Sequence, residues 1–423
     1  MNPSPGITLL LSYIGRRTKA VWRVSCAAMV RRASLVVAGV LALGLVAGGP
    51  AHADPRWVRH IGRIVAGHPV SVVAGDGGSV WYRHRASVAR PPASNEKLLL
   101  SMALLDRFGG THTFALRALG SAIDAGGTVD GNLYLKGQGD PEVGDPRLDR
   151  LASRLWSAGV RHVTGHVVGV TGPFHHDWFA PGWKRYFPAD YVALPTALTY
   201  RGNVAPSGKH IRDPERRAAV ALSHALRHLG VTIGADATAG RAVAGLNRLG
   251  SVASKPLRAI LERMDHRSIN FSAEVLGKAL ADARGDAGTI ANGAAAICAY
   301  EAARHVSATC HDGSGLSYAN RQTTIGIVHL LWNAERQPWL GALRMALPAA
   351  GQGTLRHRLR GIRIRAKTGT LDHVSALSGW VWNENAHGWI TFSMLTSGME
   401  EDAAKGLEDR VVQVLANRAK PRR

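Results

Sequence analysis

The sequence predicts an α/β (α+β) chain, an antiparallel sheet covered by helices with one smaller domain inserted into it. Three observations predict this. A hairpin followed by a helix stands near the start, strands followed by a helix stand at the end, and the long stretch between them has a different texture. With 423 residues, 46 % hydrophobic and 19 % charged, the composition is that of an ordinary globular protein long enough for a sizeable core.

The first element is the hairpin. Val70 to Ala74 and Val80 to Tyr82 flank Gly75-Asp76-Gly77-Gly78, extended runs around a turn. Pro91-Pro92 then ends the extended segment, and Ser94 to Phe108 sets Leu98, Met102 and Leu105 on one helical stripe before Gly109-Gly110 stops it. From Thr111 to Gly250 short strands and helices alternate between Gly and Pro, including a strand at Leu133 to Lys136 and an amphipathic helix at Glu215 to Leu229. This stretch reads as the inserted domain. Helical patterning returns at Pro256 to Met264, Phe271 to Ala283, Thr289 to His305 and Gln322 to Ala334. The chain closes with a half-exposed strand at Ile362 to Ala366, a strand pair at Leu377 to Trp382 and Trp389 to Leu395, and a helix from Ala403 to Asn417.

Charge and the N-terminus bear on location. The formal net charge is +22, and the first 53 residues hold six Lys or Arg and no acid, so the remainder still carries +16. Such a charge favours anionic partners, but the cations are dispersed and the short run Lys420, Arg422, Arg423 reads as a solvated tail, so no nucleic-acid partner is expected. Leu35 to Gly49 is a 15-residue apolar run after Arg31-Arg32 and before Ala51-His52-Ala53. That pattern fits a signal peptide cleaved before Asp54, the alternative being retention of residues 35–49 as a membrane anchor. Met29 offers a second start, and N-terminal sequencing of the native protein decides among these. Cys26 precedes the apolar core, leaving Cys298 and Cys310 as an even pair that an oxidising compartment would join in a disulfide, the alternative being two buried thiols.

Three short motifs carry the chemistry. In Ser94-Asn95-Glu96-Lys97 the hydroxyl and the amine lie one helical turn apart, and Ser94 sits at the positive end of the helix dipole. Ser268-Ile269-Asn270 falls between two predicted helices, and Lys367-Thr368-Gly369-Thr370 falls at the end of the strand Ile362 to Ala366. Each is common alone, as an N-cap, a helix cap or a turn. Together, in this order and these contexts, they resemble the signature of β-lactamases and penicillin-binding proteins. Leu133 to Pro141, Ala180-Pro181-Gly182-Trp183, Asp312-Gly313-Ser314-Gly315-Leu316-Ser317 and Leu347 to Leu355 narrow the resemblance. They are similar to the class C low-molecular-mass penicillin-binding proteins, the D-alanyl-D-alanine carboxypeptidase/endopeptidase family.

The resemblance covers most of the chain after Asp54. It implies the penicillin-binding, β-lactamase-like transpeptidase fold, with a catalytic domain split as 54–110 and 251–423, the insertion at 111–250 and the leader at 1–53. Two departures stand out: Asn95 where the family commonly has Thr, and Ile269 where it commonly has Asp. Ser268 follows Ser94 by only 174 positions, so the insertion is a trimmed one. Asp312 to Gly315 either lines the cleft or is a tight turn against the Ser268 loop, and Gly137 to Pro141 is a turn.

The implied reaction is serine-type D-Ala-D-Ala carboxypeptidase or endopeptidase cleavage of peptidoglycan stem peptides in the cell envelope, with β-lactams as covalent inhibitors. It needs neither metal nor cofactor. Ser94 is the expected nucleophile and Lys97 its base, for which an amine pKa of about 10.4 must fall to about 7 to 8, roughly 3 to 5 kcal/mol. Burial and the Lys367 cation are the expected causes. Ser268 would relay the proton to the leaving amine, with Asn270 orienting Lys97 and the substrate amide. The N–H groups of Ser94 and Thr370 would form the oxyanion hole, and Lys367, Thr368, Gly369 and Thr370 the carboxylate subsite. Competing readings are a β-lactamase-like hydrolase, though the Glu-x-x-x-Asn segment of class A enzymes is absent, and a catalytically silent wall-binding module. A zinc peptidase using His224 and His228 lacks the Glu of His-Glu-x-x-His at position 225.

Overall fold

The computed structural model describes residues 55–419. The apolar run at 35–49, Cys26, Met29 and the basic tail from 420 lie outside them. A five-stranded antiparallel sheet orders its strands Ile364–Leu371, Val374–Asn383, Gly388–Thr396, Val70–Asp76 and Ser79–His84. The expected hairpin thus pairs with the C-terminal strands, Val70 opposite Thr396 and Val72 opposite Met394, so both ends of the chain close one sheet. The Ile364–Leu371 strand is an edge strand.

Alternation of side chains gives the sheet two apolar faces. Val70, Val72, Ala74, Leu377, Phe392 and Met394 pack under the helices Arg56–Val65 and Glu401–Asn417. Ala376, Trp380 and Leu395 face the opposite layer, where the helix Glu96–Phe108 lies. That helix is buried on every side from Glu96 to Leu105, so the single stripe expected for it is only part of its apolar surface. Around it pack the helices Leu257–Arg267, Asn270–Ala283, Ile290–Ala302 and Thr324–Glu335. Cys298 and Cys310 form the expected disulfide.

A second sheet is built wholly from residues between 115 and 253, in the order Asn247–Ala253, Ala115–Gly120, Leu133–Lys136, Val167–Val170, Thr238–Gly240. Its last three strands are parallel. The helices Asp145–Ser157 and Pro214–His228 supply the crossovers and bury Leu151, Leu155, Leu222 and Leu226 against one face.

Two boundaries differ from expectation. The strand expected to end at Ala366 runs on to Leu371, because the Lys367–Thr370 backbone continues the ladder, Thr368 opposite Leu377 and Thr370 opposite Ser375. Ser94 lies in a 3₁₀ turn, Ala93–Asn95, that leads into the α-helix from Glu96.

Candidate active site

The Ser94 turn is held in a conformation that few sequences could adopt. Ala93 has φ 46°, a left-handed backbone that disfavours any residue with a Cβ. Two glycines from distant segments hold it there. A Cβ on Gly315 would lie 1.9 Å from the Ala93 carbonyl oxygen, and one on Gly369 would lie 2.8 Å from that of Pro92. Gly315 also has φ +78°. Gly315→Ala is therefore expected to weaken the fold by about 2 to 4 kcal/mol and to slow acylation of Ser94. An unchanged urea midpoint would show that the contact carries no weight.

Lys97 is completely buried one turn beyond Ser94. Its Nζ lies 3.0 Å from Ser94 Oγ, 2.8 Å from Asn270 Oδ1 and 2.5 Å from the Ser314 carbonyl oxygen. Burial first, then the charge of Lys367, lowers its pKa to about 7. The carboxylates of Asp312, Glu274 and Asp265 act in the opposite direction.

Lys367, also buried, donates to Ser268 Oγ at 3.0 Å and to the Thr368 carbonyl at 2.9 Å. Burial lowers its pKa to about 8, and buried Asp265 counters this by favouring the cation. Ser268 closes the helix Leu257–Arg267 in a left-handed conformation, φ 53°, and Asn270 opens the next helix two residues later. The corner points both side chains at the lysines. Asp265 accepts from Ser101 Oγ at 2.8 Å, which anchors the corner to the serine helix.

The turn 312–317 supports the site from behind. Asp312 accepts from the Trp183 indole at 2.6 Å and from the N–H groups of Gly315 and Ser317 at 2.9 and 2.8 Å. Glu274, one turn after Asn270, accepts from the Ser314 N–H at 2.7 Å. The two carboxylates aim the Ser314 carbonyl at Lys97. Glu96 is buried with no hydrogen-bond partner among the described residues, and burial beside Glu301, Asp312 and Glu274 raises its pKa well above the usual range.

Ser94, Ser268, Asn270, Thr368 and Thr370 line one open cleft of ≈ 1570 Å³; buried Lys97 and Lys367 reach it through hydrogen bonds to Ser94, Asn270 and Ser268, and Gly369 stands between Thr368 and Thr370 on the strand. The N–H of Ala366 donates outward to Pro348 at 3.2 Å. By the two-residue period of the strand, those of Thr368 and Thr370 point the same way, into the cleft. Thr368 Oγ1 donates to Thr354 Oγ1 at 2.7 Å, so the Leu347 to Leu355 segment forms the rim.

All eight expected site residues therefore converge. The two departures are also accounted for: Asn95 Nδ2 ties the serine turn to the Lys367 carbonyl at 3.2 Å, and Ile269 packs against the main core. His224 and His228 are exposed on their helix, away from this cleft. Among the described residues, one group of three metal-ligand types lies close together, Glu96, Glu301 and Cys310, and Cys310 is in the disulfide. The residues outside the quoted motifs are Glu274, Asp265 and Ser101, while Thr354 lies within the Leu347 to Leu355 segment. Ser101 and Glu274 had a legible signal, since each lies four residues after a motif residue on the same helical face.

An antiparallel sheet under helices, with a serine beside a buried lysine at the mouth of its cleft, is the architecture of the acyl-serine hydrolases that recognise penicillin. Residues 61–207 and 191–418 match the D-Ala-D-Ala carboxypeptidase 3 (S13) family, and the chain belongs to it. It is 27 % identical to a D-alanyl-D-alanine carboxypeptidase of Actinomadura sp., over 92 % of this chain and 91 % of that one. In fold it is similar to penicillin binding protein 4 of Haemophilus influenzae, with TM-score 0.73 and 18 % identity over 84 % of this chain and 99 % of that one. The same protein has been solved with a β-lactam. A predatory peptidoglycan endopeptidase of Bdellovibrio bacteriovorus shares the fold at TM-score 0.52 and 18 % identity, over 82 % and 92 % of the chains. The protein is thus a serine-type D-Ala-D-Ala carboxypeptidase.

Proposed function

We propose that Ser94 is the residue acylated, that Lys97 is its base, and that peptidoglycan stem peptides ending in D-alanine are the substrates. One observation carries this reading, the three partners of Lys97. A neutral amine has two N–H donors and one lone pair. Asn270 Oδ1 and the Ser314 carbonyl can only accept, so they take both donors. The lone pair is left facing the Ser94 hydroxyl, the one partner with a proton to give.

Ser94 then attacks the scissile carbonyl and passes its proton to Lys97. The N–H of Ser94, which makes no other hydrogen bond among the described residues, and that of Thr370 hold the developing oxyanion; one such donor is worth about 3 kcal/mol. Because Lys367 donates to Ser268 Oγ, the Ser268 proton is free to point into the cleft; it passes to the departing D-alanine nitrogen as Ser268 takes up the proton that Lys97 received, which leaves Lys97 neutral again for the attack of water. Lys367, Thr368 and Thr370 hold the terminal carboxylate, and water later releases the acyl group. A β-lactam opens on the same serine. Endopeptidase cleavage needs only that the cleft admit a cross-linked donor.

In the same reading, residues 111–250 form a domain inserted in the catalytic one, and residues 1–53 are the leader that carries the protein to the cell envelope.

The test is D-alanine release from a stem pentapeptide as a function of pH. Lys97 must be neutral, so kcat/KM rises with pH through about 7. Lys367 must stay cationic, so it falls above about 8. A bell between these limits is expected; a profile flat from pH 6 to 9, or no release at all, would refute these roles.

A further inference from the structure

A second concavity, of ≈ 560 Å³, lies outside the catalytic cleft at the end of the second sheet. Lys136, Val170 and Gly240 are level with one another at the C-terminal ends of the three parallel strands, where open parallel sheets form ligand crevices. Lys136, His176 and Arg241 reach this space, with Thr171 between them and Phe174 on one wall. The Lys136 and Arg241 side chains make no hydrogen bond or ion pair among the described residues, although the Lys136 charge acts on the carboxyl of exposed Asp282 and favours its ionised form. His176 is oriented by Glu215, 2.8 Å away and 1 % exposed, whose bond raises the imidazole pKa.

The pocket is pre-formed. Buried Lys278, on the helix that begins at Asn270, donates to the carbonyls of His175 and Pro195 at 2.7 and 3.0 Å and pairs with Asp177 at 2.7 Å. The His175 N–H donates to Gly288 at 2.9 Å, and the Thr171 N–H to Gly240 at 3.0 Å. Three of these hydrogen bonds and the ion pair therefore fix the segment that carries His176, and no ordering of that loop opposes binding.

We propose that this pocket binds a phosphate group, as a monoester or within a phosphodiester polymer. Two cationic side chains and an imidazole arriving from different segments match the several oxygens of a tetrahedral anion better than the two of a planar carboxylate. The helix from Asn270 to Lys278 spans about 12 Å at 1.5 Å per residue. A bound phosphate-bearing chain would thus lie within a short polymer length of Ser94.

Calorimetry on the full chain tests this, with inorganic phosphate, a glycerol phosphate diester oligomer and succinate as probes. Phosphate is expected to bind at least about tenfold more tightly than succinate, and Lys136→Glu/Arg241→Glu to weaken it by about tenfold or more while D-alanine release from a soluble peptide stays unchanged. Should that variant misfold, Lys136→Gln and Arg241→Gln singly replace it. Tight binding of the oligomer alone would identify the polymer as the source, and binding of inorganic phosphate the monoester. Succinate binding as tightly as phosphate, neither phosphate probe binding, or unaltered affinity in the variants would each overturn the proposal.

Discussion

Replacing Ser94 with alanine is expected to lower D-alanine release roughly 10⁴-fold or more and to abolish labelling by a fluorescent penicillin. The fold should be untouched, because the change removes one hydroxyl from a half-buried side chain and leaves Lys97 with Asn270 and Ser314 as partners. Ser94→Ala combined with Lys97→Met should be no worse than Ser94→Ala alone, since a base without its nucleophile contributes nothing. The readouts are a gel of the labelled protein and a free D-alanine assay. Persistent labelling at another residue would move the acyl acceptor elsewhere.

Lys97→Met is expected to reduce the acylation rate constant by about 10³ to 10⁴, the range of a positioned general base, while thermal stability holds or rises. The reason is the depressed amine. Its pKa is about 7 in the fold against 10.5 when free, so the unfolded chain binds that proton more tightly. Below pH 7 this disfavours folding by about 5 kcal/mol, and the penalty fades as pH climbs toward 10.5. Methionine removes the penalty but leaves Asn270 Oδ1 and the Ser314 carbonyl unpaired, at about 1 to 3 kcal/mol each. The two effects nearly offset. Acylation within tenfold of the parent enzyme would show that another group takes the proton.

Much of this site was legible in the sequence because its chemistry resides in side chains at fixed short spacings. Ser94 and Lys97 share a helical face, and the predicted helix ends on either side of Ser268 place that residue in a corner. The Ser314 carbonyl was not legible. Any residue type supplies a carbonyl, and its direction comes from the burial of Glu274 and Asp312 as acceptors, which residue type alone does not announce. The burial of the Glu96–Phe108 helix on every side was hidden similarly, since Glu96, Lys97 and Ser101 interrupt its apolar pattern yet are all buried, Lys97 and Ser101 against polar partners inside the protein. The parallel strands between Leu133 and Gly240 are only three or four residues long. Runs that short carry no period from which pairing direction could be read.

The border position of Ile364–Leu371 bears on what the enzyme recognises. Beyond Ala366 its outward amides and carbonyls have no neighbouring strand. A peptide that straightened along that margin would add as a temporary sixth strand, gripped through its main chain, with every second side chain turned toward the wall of the groove. Recognition then rests first on a stretched, unblocked backbone and only second on side-chain identity, so a chain of mixed chirality is read by its hydrogen-bonding rhythm.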